Sequence, residues 1–212
     1  MIYRCINPDC GLRIPLTDED ERCTCPRCGS TIQADATPAS SQKIERIKED
    51  GTLPEIVAVL DNIRSALNVG SIFRSCEGAG IREIYLCGIT PTPDNGKVRK
   101  TALGAEESVR WQHNWSLRDV LEQLKSEGVM IWALEGGTSA QNLFHAIKSI
   151  PDMKKVALIV GNEVSGVDPA GVELADRVVY LPMMGVKESL NVATAFGIAA
   201  YLMRFGRMIN EK

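Results

Sequence analysis

Five short apolar runs set the strongest constraint on what this chain can become. They are 56–61 (IVAVLD), 83–88 (EIYLCG), 130–136 (MIWALEG), 155–161 (KVALIVG) and 177–183 (RVVYLPM). They are rich in β-branched residues, apolar at consecutive rather than alternating positions, and most end beside Gly or Pro. A strand that is apolar on both faces must be covered on both faces. The covering material lies between and after the runs, as helical patterns over 68–79, 117–127 and 170–175 and a long one over 189–208. Strand and helix in alternation predict an α/β fold, a parallel sheet flanked by helices. Aromatic residues are only 5% of the chain against 44% for hydrophobic residues as a whole, which argues against an aromatic-dense sandwich or barrel.

The first 33 residues are of another kind. They hold five cysteines and few large apolar side chains, so they cannot build a core and need a staple. The spacing is Cys5-x4-Cys10, then Cys25-x2-Cys28 followed by Gly29, with Cys23 in addition. Two close pairs a dozen or so residues apart fit a tetrahedral zinc site, each pair from a tight knuckle. Cys5, Cys10, Cys25 and Cys28 are the predicted ligands of a structural Zn2+, and Cys23 is a spare or competing ligand. Four thiolates would close the site and leave no position for catalysis. The chain therefore divides into a zinc-ribbon-like domain (1–33), a linker with a short charged helix (34–53) and an α/β domain (54–212). An accidental cysteine-rich segment or a zinc–thiol redox centre is the competing reading of the cluster.

Several classes are excluded or disfavoured. The longest uncharged apolar stretch, 189–203, is 15 residues and falls short of the roughly 20 that cross a bilayer. The N-terminus has no charged-then-apolar leader pattern, so the seven cysteines read as reduced thiols of a cytoplasmic protein. Cys76 and Cys87 fall inside predicted elements and read as buried, inert thiols. His113 and His145 stand alone, which argues against Ser-His-Asp and Cys-His hydrolases. With 24 basic and 27 acidic residues the chain is no basic coat, and nucleic acid would need a local patch. The densest basic spot is Lys97, Arg99 and Lys100, read as a loop after the turn signal TPDNG.

Three stretches carry more polar chemistry than a core requires. In 61–81, Asn68 and Gly70 sit at the turn into a helix, and Arg74 follows a helical turn beyond Gly70. In 159–171 a strand runs into Gly161, Asn162, Glu163 and Gly166, with a helix start at Asp168-Pro169. Neither a dinucleotide nor a P-loop fingerprint is present there, yet glycines at a strand's carboxyl end admit a ligand to the backbone. In 179–203 a strand meets Pro182 and Gly185, and Ser189 fits the N-cap of an Ala/Gly-rich helix.

Together these resemble the SpoU (TrmH) family of RNA ribose 2′-O-methyltransferases, in the SPOUT superfamily. The family's N-x-G-x-x-x-R is matched by Asn68, Gly70 and Arg74, and its G-N-E-x-x-G by Gly161, Asn162, Glu163 and Gly166. Its third motif is matched by Leu181, Pro182, Met183, Gly185, Ser189, Leu190, Asn191 and Val192, and KTALGAEE (100–107) looks like its basic and G-A stretch. Ala66 departs from the Pro that many members carry. The resemblance implies a C-terminal trefoil knot, S-adenosylmethionine bound bent in the knot loops, and an obligate homodimer. The cofactor loops would be Leu134, Glu135 and Gly136; Gly161, Asn162 and Glu163; and 181–190, with Leu181 and Met183 against the adenine and Ser189 and Leu190 beside it. Arg74 would sit at the reacting 2′-hydroxyl, with Asn68, Glu163, Ser189 and Asn191 orienting the ribose and fixing the loops. Glu163 would order either Arg74 or loop amides. Arg64, Arg74, Lys97, Arg99 and Lys100 would hold a tRNA or rRNA. The alternative is an RNA-binding or ribosome-associated protein of the same fold without transfer.

Overall fold

A computed structural model describes residues 2–16, 23–35, 47, 51, 53–148 and 155–206. The chain forms two compact units, residues 1–48 and 49–212. The linker expected at 34–53 and its charged helix fall almost wholly outside the described residues, as does the end of the helix expected to reach 208.

In the first unit three short strands, β1 (Ile2–Cys5), β2 (Arg13–Pro15) and β3 (Ile32–Ala34), pair antiparallel in the order β2-β1-β3. Cys5, Leu16, Cys25 and Ile32 are its buried side chains. So small a cluster buries little apolar area, which is why the segment needs a cross-link. Asp35 accepts ion pairs from Arg4 at 3.1 Å and Arg13 at 2.7 Å and ties the outer strands together.

The second unit runs β4 (Glu55–Asp61), α1 (Ala66–Ala79), β5 (Glu83–Cys87), α2 (Gly96–Ala102), α3 (Ala105–Ser108), β6 (Arg110–Asn114) and α4 (Leu117–Ser126). It continues with β7 (Met130–Leu134), β8 (Gln141–Asn142), α5 (Leu143–Ala146), β9 (Lys155–Val160), α6 (Pro169–Leu174), β10 (Arg177–Tyr180) and α7 (Val192–Phe205). The strands form one parallel sheet in the order β6-β5-β4-β9-β7-β10-β8. Its two faces carry separate cores. Ile56, Ala58, Leu60, Ile84, Leu86 and Leu158 pack under α1, α2 and α7. Val57, Val59, Ile131, Ala157 and Ile159 pack under α4 and α6. This is the two-sided burial that the unbroken apolar runs require. Among the described residues no helix is long and apolar enough to cross a membrane.

Local physics corrects several sequence expectations. The polar segment RWQHN, not read as a strand, is the edge strand β6. Residues 96–102, read as a loop, form α2: Asn95 caps it by accepting Lys97 N at 3.0 Å, and Val98 and Ala102 are buried. Lys97, Arg99 and Lys100 are therefore exposed on a short helix. The strand expected to reach Met183 stops at Tyr180, before Pro182, which has no N–H to give a ladder. The last helix begins at Val192, not Ser189. Its N-cap is Asn191, whose Oδ1 accepts Ala193 N at 3.0 Å and Thr194 N at 3.3 Å, so Ser189 is not the cap.

Candidate functional site

Because all seven strands run the same way, their carboxyl ends share one edge of the sheet. There β4 leaves Asn62 in the left-handed region (φ 53°), a conformation that Asn tolerates through local hydrogen bonds. The Asn62 carbonyl accepts Asn162 Nδ2 at 2.7 Å, and its Oδ1 accepts Ile89 N at 3.1 Å. One residue thus ties the turns after β4, β5 and β9. Beneath it Asp61 is buried and accepts Asp168 N and Asn62 Nδ2, each at 2.7 Å. Burial raises its pKa, against the lowering effect of those two hydrogen bonds.

After β9 the chain makes a tight loop. Asn162 and Gly166 exchange two backbone hydrogen bonds at 2.9 Å, while Asn162 Oδ1 accepts Val164 N at 2.9 Å and Ser165 N at 3.2 Å. A Cβ at position 161 would collide with the backbone of Gly166 and Val167, so only glycine fits. This loop presents Glu163, whose carboxylate accepts Arg64 N at 2.9 Å, Ser65 N at 3.1 Å and Asn68 Nδ2 at 2.9 Å. Partial burial would raise its pKa, but the hydrogen bonds outweigh it, with Arg64 N foremost, and hold the carboxyl below its ordinary value. Asn68 Oδ1 in turn accepts Asn191 Nδ2 at 3.1 Å. The side chains of Asn191, Asn68 and Glu163 form one relay joining the three sequence motifs.

Beside the relay lies a cavity of about 530 Å³. Leu134, Glu135, Gly136, Gly161, Asn162, Glu163, Leu181, Met183, Ser189, Leu190 and Asn191 all line it. Glu135 accepts Val167 N at 2.8 Å on one oxygen and Gly136 N at 3.0 Å on the other, and so pins the β9 loop to the end of β7. The sequence reading gave no site role to Val160, Val164, Tyr180, Glu188 or Ala195, also on the wall. Tyr180 flanks the motif residue Leu181, but nothing in Glu188 set it apart from a solvated charge. Asn68 reaches the wall only through its partners. Arg64, Arg74, Lys97, Arg99 and Lys100 are exposed and do not line the cavity. Glu163 binds loop amides rather than Arg74, which makes no hydrogen bond or ion pair among the described residues.

In the first unit, the Sγ atoms of Cys5, Cys10, Cys25 and Cys28 all lie within 4.8 Å of one another. Cys5 to Cys28 is 3.4 Å and Cys10 to Cys25 is 3.7 Å. A tetrahedron with Zn–S bonds of about 2.3 Å has S–S edges of about 3.8 Å, so the quartet fits that ion. Gly29 (φ 72°) turns the second knuckle, where Arg27 N donates to Cys25 Sγ at 3.4 Å. Cys23 is exposed and outside the quartet. Cys76 and Cys87 are buried, and burial raises both thiol pKa values. His113 Nε2 is within 2.8 Å of Gly88 O, away from the cavity wall.

Against known families, the SpoU rRNA Methylase family matches residues 55–201. The chain belongs to that family. Among curated SpoU relatives, the 23S rRNA (guanosine(2553)-2′-O)-methyltransferase of Bacillus subtilis is 35% identical over 148 residues, covering 70% of this chain and 57% of the relative. The tRNA (guanosine(18)-2′-O)-methyltransferase of Aquifex aeolicus is 27% identical over 169 residues, covering 76% and 74%. The crystal structure of an AdoMet-bound rRNA methyltransferase from Sinorhizobium meliloti superposes with a TM-score of 0.66 at 25% identity, over 73% of this chain and 57% of that one. The chain spans 57 to 66% of the length of the first three curated relatives. The SpoU match covers the whole parallel sheet and the Asn191–Asn68–Glu163 relay.

Proposed function

We propose that this chain transfers a methyl group from S-adenosylmethionine to a ribose 2′-hydroxyl of a structured RNA. The observation that carries the reading is the cavity at the strand ends, walled by all three SpoU loops and braced by the Asn191–Asn68–Glu163 relay. Its volume lies in the range of small-molecule sites, and its wall mixes apolar residues (Leu134, Leu181, Met183, Leu190) with polar ones (Asn162, Ser189, Asn191). That donor set fits an adenosine. When bound, S-adenosylmethionine supplies an electrophilic methyl group on a sulfonium.

The remaining work falls to the chain. Leu181 and Met183 hold the purine faces, and the 134–136 and 161–163 backbones read its edge. Glu163 and Asn68 fix the start of α1 against the cavity, and Ser189 and Asn191 orient the ribose. Arg74, exposed and without a hydrogen bond or ion pair among the described residues, takes the neighbouring phosphate and stabilises charge developing on the 2′-oxygen. It is no general base, because a guanidinium stays protonated. Only RNA offers the 2′-hydroxyl. Arg64, Lys97, Arg99 and Lys100 supply phosphate contacts, and relatives named for 23S rRNA and for tRNA leave both substrate classes in view.

The reading extends to the assembly. The C-terminal trefoil knot is carried over from the superfamily. Met184, Val186, Ile198 and Tyr201 are exposed on the 181–190 loop and α7, a surface that supports a homodimer. The cysteine quartet holds one structural Zn2+. The test incubates purified protein with S-adenosylmethionine and unmodified transfer or ribosomal RNA, then reads nucleosides by mass spectrometry. A 2′-O-methyl nucleoside from one pool is the expected result. Cofactor binding without product in either pool, or no cofactor binding, would move the chain to the non-catalytic RNA-binding reading.

A further inference from the structure

Trp115 stands 80% exposed, an unusual position for the largest side chain. It lies just past the carboxyl end of β6, on the same sheet edge as the cavity. Three strand spacings of about 4.8 Å each place β6 about 14 Å from β9, whose loop walls the cavity. The indole is held, not loose. The His113 ring meets it edge-on, with centroids 4.8 Å apart and planes at 88°. His113 Nε2 is bonded to Gly88 O at 2.8 Å, and the next residue, Ile89, donates its N–H to Asn62 Oδ1 at 3.1 Å. The mount of the indole thus runs through hydrogen bonds to the residue that organises the strand-end turns.

The neighbourhood has the charge of a nucleic-acid path. Helix α2 crosses α1 at Gly70, where a Cβ would lie 2.5 Å from Val98 O and 2.7 Å from Thr101 Cβ. That close approach brings the cations of α2 to the first turns of α1, between Asn68 and Arg74. Lys97 and Lys100 on α2, with Arg64 and Arg74, are exposed and make no ion pair among the described residues. Arg99 donates to Pro93 O at 2.8 Å. Asp94, Glu106 and Glu107 are the acidic residues of the same stretch, and Asp94 accepts from Thr92.

We infer that Trp115 is a stacking platform for an unpaired nucleobase of the RNA, a short way along the strand from the nucleotide whose ribose enters the cavity. A rigid aromatic face on a domain that also exposes cations free of ion pairs suits single-stranded RNA, because every base offers a π-face while the cations hold the backbone. The inference rests on the RNA reading above but concerns binding, so it is tested apart from turnover.

The probe is hexa-adenylate RNA, titrated into full-length protein while tryptophan fluorescence is followed at several salt concentrations. Wild type is expected to bind with quenching. Trp115→Ala should bind about 5- to 150-fold more weakly, the range for losing one base stack. Trp115→Phe should stay within about threefold, read by competition with labelled RNA. The slope of log affinity against log salt should be unchanged in Trp115→Ala, because no phosphate contact is lost, and S-adenosylmethionine affinity by calorimetry should match wild type. The inference is overturned if wild type does not bind the oligomer, if Trp115→Ala binds within twofold of wild type, or if its salt slope or cofactor affinity falls as well. Unchanged RNA binding by Trp115→Ala in a protein that methylates RNA would sink the platform and leave the proposed activity standing.

Discussion

Glu163→Gln is the most informative single substitution. The carboxylate accepts three hydrogen bonds at 2.9 to 3.1 Å, two on Oε1 (Ser65 N, Asn68 Nδ2) and one on Oε2 (Arg64 N). A glutamine keeps one oxygen. In its better orientation it retains the two Oε1 partners and points an NH2 group at Arg64 N, donor against donor. The lost bond was to a charged acceptor, worth about 1.5 to 3 kcal/mol. The site is partly solvated and water can reach Arg64 N, so about 1 to 2 kcal/mol is the expected net loss. For a unit of this size that is a fall in Tm of about 2 to 8 °C. The pH dependence is equally specific. An unperturbed Glu titrates near 4.3, and Glu163 is held lower in the folded chain. Its stabilisation is therefore fully present above about pH 4.3 and is lost as pH falls through the folded value. Thermal unfolding by circular dichroism, run on both proteins from pH 7 down to 3, should show a constant gap near neutrality that closes below about pH 4.3. Equal Tm values at pH 7, or a gap undiminished at pH 3, would refute the reasoning.

Other perturbations separate the parts of the molecule. Arg74→Ala should cut single-turnover methylation by more than about tenfold while cofactor affinity stays within about twofold, since Arg74 is absent from the cavity wall; a weakened cofactor and intact chemistry would reverse the assignment. Glu188, on the wall with no hydrogen bond or ion pair among the described residues, would on the proposed reading face the sulfonium and ammonium of S-adenosylmethionine. Glu188→Gln should weaken S-adenosylmethionine by about three- to tenfold in calorimetry and leave uncharged methylthioadenosine unaffected, in keeping with the modest worth of exposed ion pairs. Gly161→Ala should lower Tm by about 6 to 12 °C, the consequence of roughly 3 kcal/mol of backbone clash. Protein purified from zinc-supplemented cells should carry one Zn2+ per chain by mass spectrometry, and Cys28→Ser should carry far less; unchanged metal content would reassign the ligands.

The sheet was legible in the sequence where burial wrote it plainly. Val57, Val59, Ala157 and Ile159 are buried on one face while their neighbours are buried on the other, so β4 and β9 read as unbroken apolar runs. Strand β6 escaped because an edge strand with solvent on one side tolerates Arg110, Gln112 and His113. Helix α2 escaped because its seven residues start with Gly96 and bury only Val98 and Ala102, too short a pattern for a period. At the site, the family resemblance named most residues of the cavity wall but not their partners. That Glu163 meets Arg64 N and Ser65 N depends on Asn62 adopting φ 53° and bringing two turns together. The N-cap choice had the same limit: Ser189 and Asn191 are both competent, and only the path after Pro182 decides for Asn191.

The strand order β6-β5-β4-β9-β7-β10-β8 also dictates how the chain must be made. Strands β4, β5 and β6 pair as they are synthesised, but β9 is threaded between β4 and β7, and β10 between β7 and β8. Strand β7 therefore waits without a neighbour on either side, and β4 keeps one edge bare for almost a hundred residues of translation. Bare edges recruit other chains, and pairings of such long sequence separation form slowly. A polypeptide halted before Lys155 is not a smaller version of this protein but one three-stranded piece of sheet, with β7 and β8 unpaired and the strands that would join them not yet made.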